Sequence, residues 1–259
     1  MGRDTNIAWT QSTLNLAWGC TKVSEECRNC YMYRISESVH RNPYEVDILG
    51  PHRKPWAVDH SVQQIGRFGL DIINPAYMDY VESRIRSVKK GMVFVNSMSD
   101  TFHEDIPEEV LKAWFTIFET HPERQFQILT KRPGRARNFF RGRKVPDNCW
   151  MGVSVGMASA KSRIDVLREI DAKVRFLSCE PLIEDLGELD LAGIHWVIVG
   201  GESDYEHPRP MNPEWAESIR AMCQRERVVF FFKQMGGVGG DGVGGDLLNG
   251  IRYQEWPTP

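Results

Sequence analysis

A partial or complete parallel β/α barrel is the fold this sequence predicts, on three observations. Six short β-rich runs recur between Met92 and Lys233, helical or turn-rich stretches separate them, and the runs end in polar residues. Near-continuous apolar character, rather than strict alternation, marks strands covered by helices or lining a barrel. The order β-α-β-α with short connections favours right-handed crossovers, hence a parallel sheet. An open doubly wound sheet is the alternative.

Taken in order, Asn6 to Thr10 reads as a first strand, followed by a cysteine loop and a helix from Tyr31 to about Val39. An irregular insert at 42–75 follows, polar and with prolines at 43, 51, 55 and 75. Loops of this length are often functional. Residues 76–88 read as a helix. The six interior runs are Met92 to Met98, Gln125 to Thr130, Trp150 to Val155, Val174 to Cys179, Trp196 to Gly200 and Val228 to Lys233. In Pro107 to His121, residues Val110, Leu111, Trp114, Phe115 and Phe118 share one helical face, and Pro107, Glu108 and Glu109 suit its first turn. Ser159 to Asp171 and Pro213 to Glu226 repeat the amphipathic pattern. The division is one barrel domain over 1–235 and a glycine-rich C-terminal extension over 236–259, read as flexible.

Composition narrows the class. The chain has 259 residues, 41% hydrophobic and 26% charged, which suits a globular core. Its 32 basic against 35 acidic side chains leave a net charge of -3, so no global attraction to nucleic acid or an anionic membrane is expected. No run of about 18 apolar residues is present, and Met1 to Thr10 lacks a signal-like apolar stretch. The expectation is a cytoplasmic protein without membrane contact. In that compartment six cysteines point to metal or redox chemistry before disulfides.

Cys20, Cys27 and Cys30 read C-x6-C-x2-C between a strand and a helix. Three thiolates in one loop suit three irons of a [4Fe-4S] cluster, leaving the fourth iron open to an exogenous molecule. The alternative is zinc, which normally takes four protein ligands, often as two separated pairs; no second C-x2-C occurs here. Cys149, Cys179 and Cys223 read as buried small hydrophobes, with Cys179 near enough to the rim to approach a cluster or substrate.

Polar strand ends supply further candidates. Lys131 and Arg132, Ser154, Glu180 and Lys233 close four of the runs, as residues lining one shared mouth would. Lys131, Arg132 and Lys233 suit a phosphate or carboxylate, and Glu180 a balancing charge or a substrate amine. Between Lys131 and Lys144, seven of fourteen residues are Lys or Arg, with Phe139 and Phe140 among them. That segment suits a phosphodiester backbone with stacked bases, unless the two rings form a buried helical face. Gly200, Gly201 and Glu202 read either as a tight turn or as a site where backbone and carboxylate meet a ligand.

The three-cysteine loop after the first strand of a β/α barrel resembles the radical S-adenosylmethionine (SAM) superfamily. Its spacing departs from the commonest C-x3-C-x2-C form, and Asn29 stands where an aromatic residue usually precedes the last cysteine. More closely, the opening TNIAWTQSTLNLAWGCTKVSEECRNCY, with NSMSDTFH, LTKRP, SCEPL, WVIVGGES and FFKQMGG, resembles a phage- and prophage-borne radical-SAM-like family. The resemblance implies a [4Fe-4S] cluster on Cys20, Cys27 and Cys30, reductive cleavage of SAM to a 5′-deoxyadenosyl radical, and an external electron donor. It implies a SAM site among Asn96, Ser97, Ser99 and Asp100, though the superfamily's usual Gly-Gly-Glu is missing there, with Ser154 and Glu202 as further cofactor contacts. Lys131, Glu180 and Lys233 become the catalytic candidates, amino-acid-modified thymine in phage DNA the implied substrate and isomerisation the implied reaction. Two other classes stay open: a non-catalytic zinc- and nucleic-acid-binding protein, and an iron-sulfur electron carrier.

Overall fold

Seven parallel strands form one curled sheet, a half-barrel: β1 (Ser12–Leu14), β2 (Gly91–Val95), β3 (Arg124–Thr130), β4 (Cys149–Ser154), β5 (Arg175–Cys179), β6 (Trp196–Gly200) and, after a short β7 (Ser203–Asp204), β8 (Val229–Gln234). The structure is a computed structural model, and it describes residues 5–39, 42–44, 46–47 and 75–258. The insert expected at 42–75 therefore lies mostly outside the described residues. Spatial order follows chain order from β1 to β6, with β8 beside β6. A partial parallel barrel, rather than an open doubly wound sheet, is the fold.

Helices α1 (Tyr31–Ser38), α2 (Pro75–Ser87), α3 (Glu108–Glu119), α4 (Pro133–Phe140), α5 (Ser162–Arg168) and α6 (Pro213–Glu226) intervene. Each starts and stops for local reasons. In α6, Asn212 accepts a hydrogen bond from the Glu214 N–H at 3.0 Å, Pro213 occupies the first turn, and Arg227 ends the helix in the left-handed region at φ 58°. In α3 the acidic pair Glu108 and Glu109 faces the positive end of the helix dipole, and Val110, Leu111, Trp114, Phe115 and Phe118 are buried.

The strands alternate between two apolar environments. Val93, Val95, Phe126, Ile128, Met151, Val153, Leu177, Val197, Val199, Phe230 and Phe232 pack outward with the helices in the main core. Phe94, Trp150, Phe176, Trp196, Ile198 and Phe231 face the concave side and form a second cluster with Trp9. Burial on both faces explains why the sequence runs lack strict alternation.

Two expectations need correction. Residues 6–10 are not a strand: β1 begins at Ser12, and the segment before it delivers Trp9 into the concave face, 4.6 Å from Phe94 and 6.2 Å from Trp196 between ring centroids. The glycine-rich tail is not a free extension either. Its β9 (Gly237–Val238) pairs with β7, and β10 (Leu247–Leu248) with β11 (Ile251–Arg252) makes a hairpin. The Phe232 N–H donates to the Tyr253 carbonyl at 2.7 Å, and Trp256 lies 5.1 Å from Phe231 between ring centroids. A few apolar residues between many glycines anchor this tail along the edge of β8, a signal too sparse to read as periodicity. No described helix is long and apolar enough to cross a membrane.

Candidate active site

At the C-terminal ends of the strands lies a cavity of about 670 Å³, a size typical of small-molecule sites. Cys20, Cys27, Cys30, Asn96, Ser97, Asp100, Lys131, Arg132, Ser154, Glu180, Glu202 and Lys233 all line it, so these twelve sequence candidates reach one place. Strand parity explains part of this. Ser154, Ser178, Glu180 and Lys233 sit at even steps from the concave aromatic residues of their own strands, so the pleat turns them inward. The same parity turns Cys179 outward into the main core, where it and Cys223 are fully buried, so it cannot serve as the fourth ligand the sequence left open. Cys149 is buried in that core too.

The three loop thiols are free and border the same space. Tyr33, whose hydroxyl donates to the Cys20 carbonyl at 3.0 Å, feels all three: burial first, then Cys20, Cys30 and Cys27, raise its pKa. Burial and the nearby Asp100 push the Cys20 thiol up to about 11, against the pull of Arg132. Burial raises Cys30 as well. Such thiols stay protonated in neutral solution until a metal displaces the proton, which coordination does outright. Among the described residues no three His, Cys, Asp or Glu side chains are arranged around a single ion. Three cysteine thiols bordering one cavity are a soft donor set, the kind that zinc and iron-sulfur groups take.

Two buried carboxylates hold the cysteine loop in place. Glu26 lies between the first two cysteines with a fully buried side chain. It accepts from the Gly156 N–H at 2.6 Å, from Ser24 Oγ at 2.7 Å and from Arg163 at 2.6 Å. Burial works to raise its pKa, but Lys131, Arg163 and these hydrogen bonds outweigh it and hold the carboxyl below its usual range. Gly156 is required here because a Cβ would stand 1.9 Å from the Pro181 carbonyl oxygen. From the other side Glu202 takes Asn29 Nδ2 at 2.9 Å and a bidentate contact from Arg209, whose Nη1 reaches the Glu25 carbonyl at 2.8 Å. Arg209 and Asn29 overcome burial to depress the Glu202 pKa. All of this engages Glu202 in bracing the loop at the cavity wall. Gly201 before it is a close-packing glycine: a Cβ would lie 1.9 Å from the Met235 carbonyl oxygen.

The residues after β2 are equally engaged. Asn96, in the left-handed region at φ 58°, accepts from the Leu16 and Ala17 N–H groups at 2.8 and 3.0 Å and donates to Thr101 at 3.1 Å. Ser97 Oγ donates to Asn15 at 3.1 Å, and its carbonyl accepts the Tyr31 hydroxyl. Ser99 Oγ donates to the Gly19 carbonyl at 2.7 Å. Asp100 takes the Phe102 and Lys131 N–H groups and Thr130 Oγ1, stitching the end of β2 to the end of β3. These residues shape the wall beside the thiols.

Lys131 keeps more capacity. Its ammonium donates to Ser154 Oγ at 3.2 Å, and no carboxylate among the described residues is in ion-pair range. Lys233, only 7% exposed, is clamped between Glu180 and Asp241, the latter at 3.0 Å. Burial opposes its charge, but the two carboxylates outweigh burial and raise its pKa, so it stays an ammonium. Asp241 belongs to the glycine-rich tail, and Glu26, Ser178 and Tyr205 are further lining residues that sequence reasoning missed. Two signals were available: Ser178 is two residues before Glu180, and Asp241 is the charged residue inside a glycine run.

In the basic segment the two rings take the buried of their two readings. Phe139 and Phe140 are buried among Phe102 and Phe115, so they stack on one another's neighbours and not on a base. Arg137, Arg143 and Lys144 are paired with Glu169, Glu108 and Asp147. Helical spacing put those rings inward, and Glu169 and Glu108, distant in sequence, together with the nearby Asp147, pair three of the cations.

Fold and site together define an α/β half-barrel protein with a three-thiol cavity at the C-terminal ends of its strands. The chain belongs to the family described as protein of unknown function (DUF5131), whose model matches residues 4–257. Among curated proteins there is no match. Two solved structures are similar to it: spore photoproduct lyase complexed with dinucleoside spore photoproduct, at 11% identity and a TM-score of 0.48, and a point mutant of spore photoproduct lyase, at 10% and 0.47. Each alignment covers 88% of this chain, which spans 64% of the length of those chains.

Proposed function

We propose that this protein is a radical SAM enzyme. The observation that carries the reading is the convergence of three free, loop-borne thiols on a cavity that holds no fourth cysteine. A [4Fe-4S] cluster with SAM on its open iron would supply reductive cleavage and a 5′-deoxyadenosyl radical. Cys20, Cys27 and Cys30 would hold the cluster. Lys131, steadied by Ser154, offers a cation for a carboxylate beside Cys30, whose thiol feels its charge. The aromatic cluster of Trp9, Phe94, Trp150, Phe176, Trp196 and Phe231 seals the opposite end of the concave face and excludes water from below.

The substrate would occupy the other half of the cavity, beside Glu180, Lys233 and Asp241. Two carboxylates and one ammonium suit a group with both an amine and a carboxylate, in keeping with amino-acid-modified thymine in phage DNA as the substrate and isomerisation as the reaction. Recognition of that group would fall to the cavity.

The test is anaerobic reconstitution with iron and sulfide, then dithionite and SAM, with and without modified DNA. The expected result is 5′-deoxyadenosine, lost in C20A, C27A and C30A alike because the three thiols act as one unit. Absence of that product from iron-loaded wild type would overturn the reading.

A further inference from the structure

We propose that Arg132 tunes the reduction potential of the group on Cys20, Cys27 and Cys30, through an N–H···S hydrogen bond to the Cys20 sulfur. The inference rests on the cluster reading above.

By sequence Arg132 opens a basic run and looks like a phosphate contact, but the structure turns it inward. Its Nη1 lies 3.8 Å from Cys20 Sγ. Nη2 donates to Thr21 Oγ1 at 2.6 Å and to the Thr21 carbonyl at 3.3 Å, while Nε pairs with Glu104 at 2.8 Å. Asp100 stands 3.5 Å from Nη1, and the side chain is 10% exposed. Thr21 is held in turn by His103, whose Nδ1 accepts the Asp105 N–H at 3.2 Å, so that Nε2–H donates to Thr21 Oγ1 at 2.9 Å.

Every guanidinium nitrogen is thus committed to the cysteine loop or to its supports. No edge of the fork is left for a phosphate. An electron added to a cluster increases the negative charge on its thiolate sulfurs. A charged donor fixed against one of them stabilises the reduced form more than the oxidised form and raises the potential. The contacts are unequal: Cys20 faces this guanidinium, whereas Cys27 has the neutral Ser24 hydroxyl at 4.0 Å. Arg132 is therefore a positioning residue acting through Cys20. The one-electron donor is an external low-potential reductant.

Wild type, R132K and R132Q would be loaded anaerobically with iron and sulfide and titrated with dithionite and mediators, the reduced cluster being read by electron paramagnetic resonance. R132Q is expected to disfavour reduction at least tenfold, which for one electron is about 59 mV more negative. R132K, which keeps the charge without the fork, should fall between. Equal potentials in the three proteins would overturn the assignment. Should R132Q hold too little cluster to titrate, R132K carries the test by the same criterion. Loss of cluster from both would make Arg132 a prop of the loop and overturn it too. Wild type that takes up no iron would instead sink the cluster reading itself.

Discussion

On the concave face of the sheet, Phe94, Trp150, Phe176, Trp196 and Phe231 make a floor; at even steps further along four of the same strands, Asn96, Ser154, Ser178 and Lys233 make a mouth. The floor is held by ring packing, with Trp150 and Phe231 centred 6.1 and 6.2 Å from Trp196, whereas the mouth is held by hydrogen bonds between loops far apart in sequence, where Glu26 reaches Gly156 and Glu202 reaches Asn29. Strand pairing positions both, but only the mouth depends on loops finding one another. Stability and chemistry are therefore separable along a single set of strands.

That separation can be broken in four ways. The largest effect is expected in the floor, where W196A removes a fully buried indole and should cost about 3–5 kcal/mol in denaturant unfolding. Folded W196A should still load iron to the wild-type ratio. In the mouth, G156A drives a Cβ toward the Pro181 carbonyl and should cost about 1–3 kcal/mol, as overpacking does. Unlike W196A it should also reduce iron retention, because Glu26 loses its backbone anchor.

The third effect is acid sensitivity. Glu26 and Glu202 both have depressed pKa values in the folded protein. Each therefore contributes stability that is present above the ordinary glutamate pKa, about 4.3, and is lost as pH falls through the lower folded value. Unfolding midpoints followed by circular dichroism should fall in that window for wild type and change less with pH in E26Q. An unchanged slope would mean that Glu26 is no clamp. The smallest effect is expected from K131M, which should weaken SAM binding about tenfold, ~1.4 kcal/mol, in calorimetry of the loaded protein while stability stays within about 0.5 kcal/mol.

The contrast also explains what the sequence disclosed. Interior strands and α6 were legible because their apolar residues are dense and their caps local: Asn212 and Pro213 mark a helix start without reference to anything distant. The cysteine loop and the polar strand ends were legible because parallel strands bring like ends together. What escaped depends on partners far along the chain. Nothing near Glu26 announces that Gly156 and Arg163 will bury it, and nothing near Glu202 announces Asn29. The sequence alone does not choose between stacking and burial for Phe139 and Phe140, because the rings that bury them, Phe102 and Phe115, lie far along the chain. Trp9 was read in a strand because a short apolar segment gives the same pattern when it fills the inside of a barrel.

Metal content after anaerobic reconstitution tests the central claim most directly. Four irons per chain, about four sulfides and broad absorption near ~400 nm, all abolished by C27A, are what three thiols around an open corner predict. One zinc per chain with no visible absorption would contradict it.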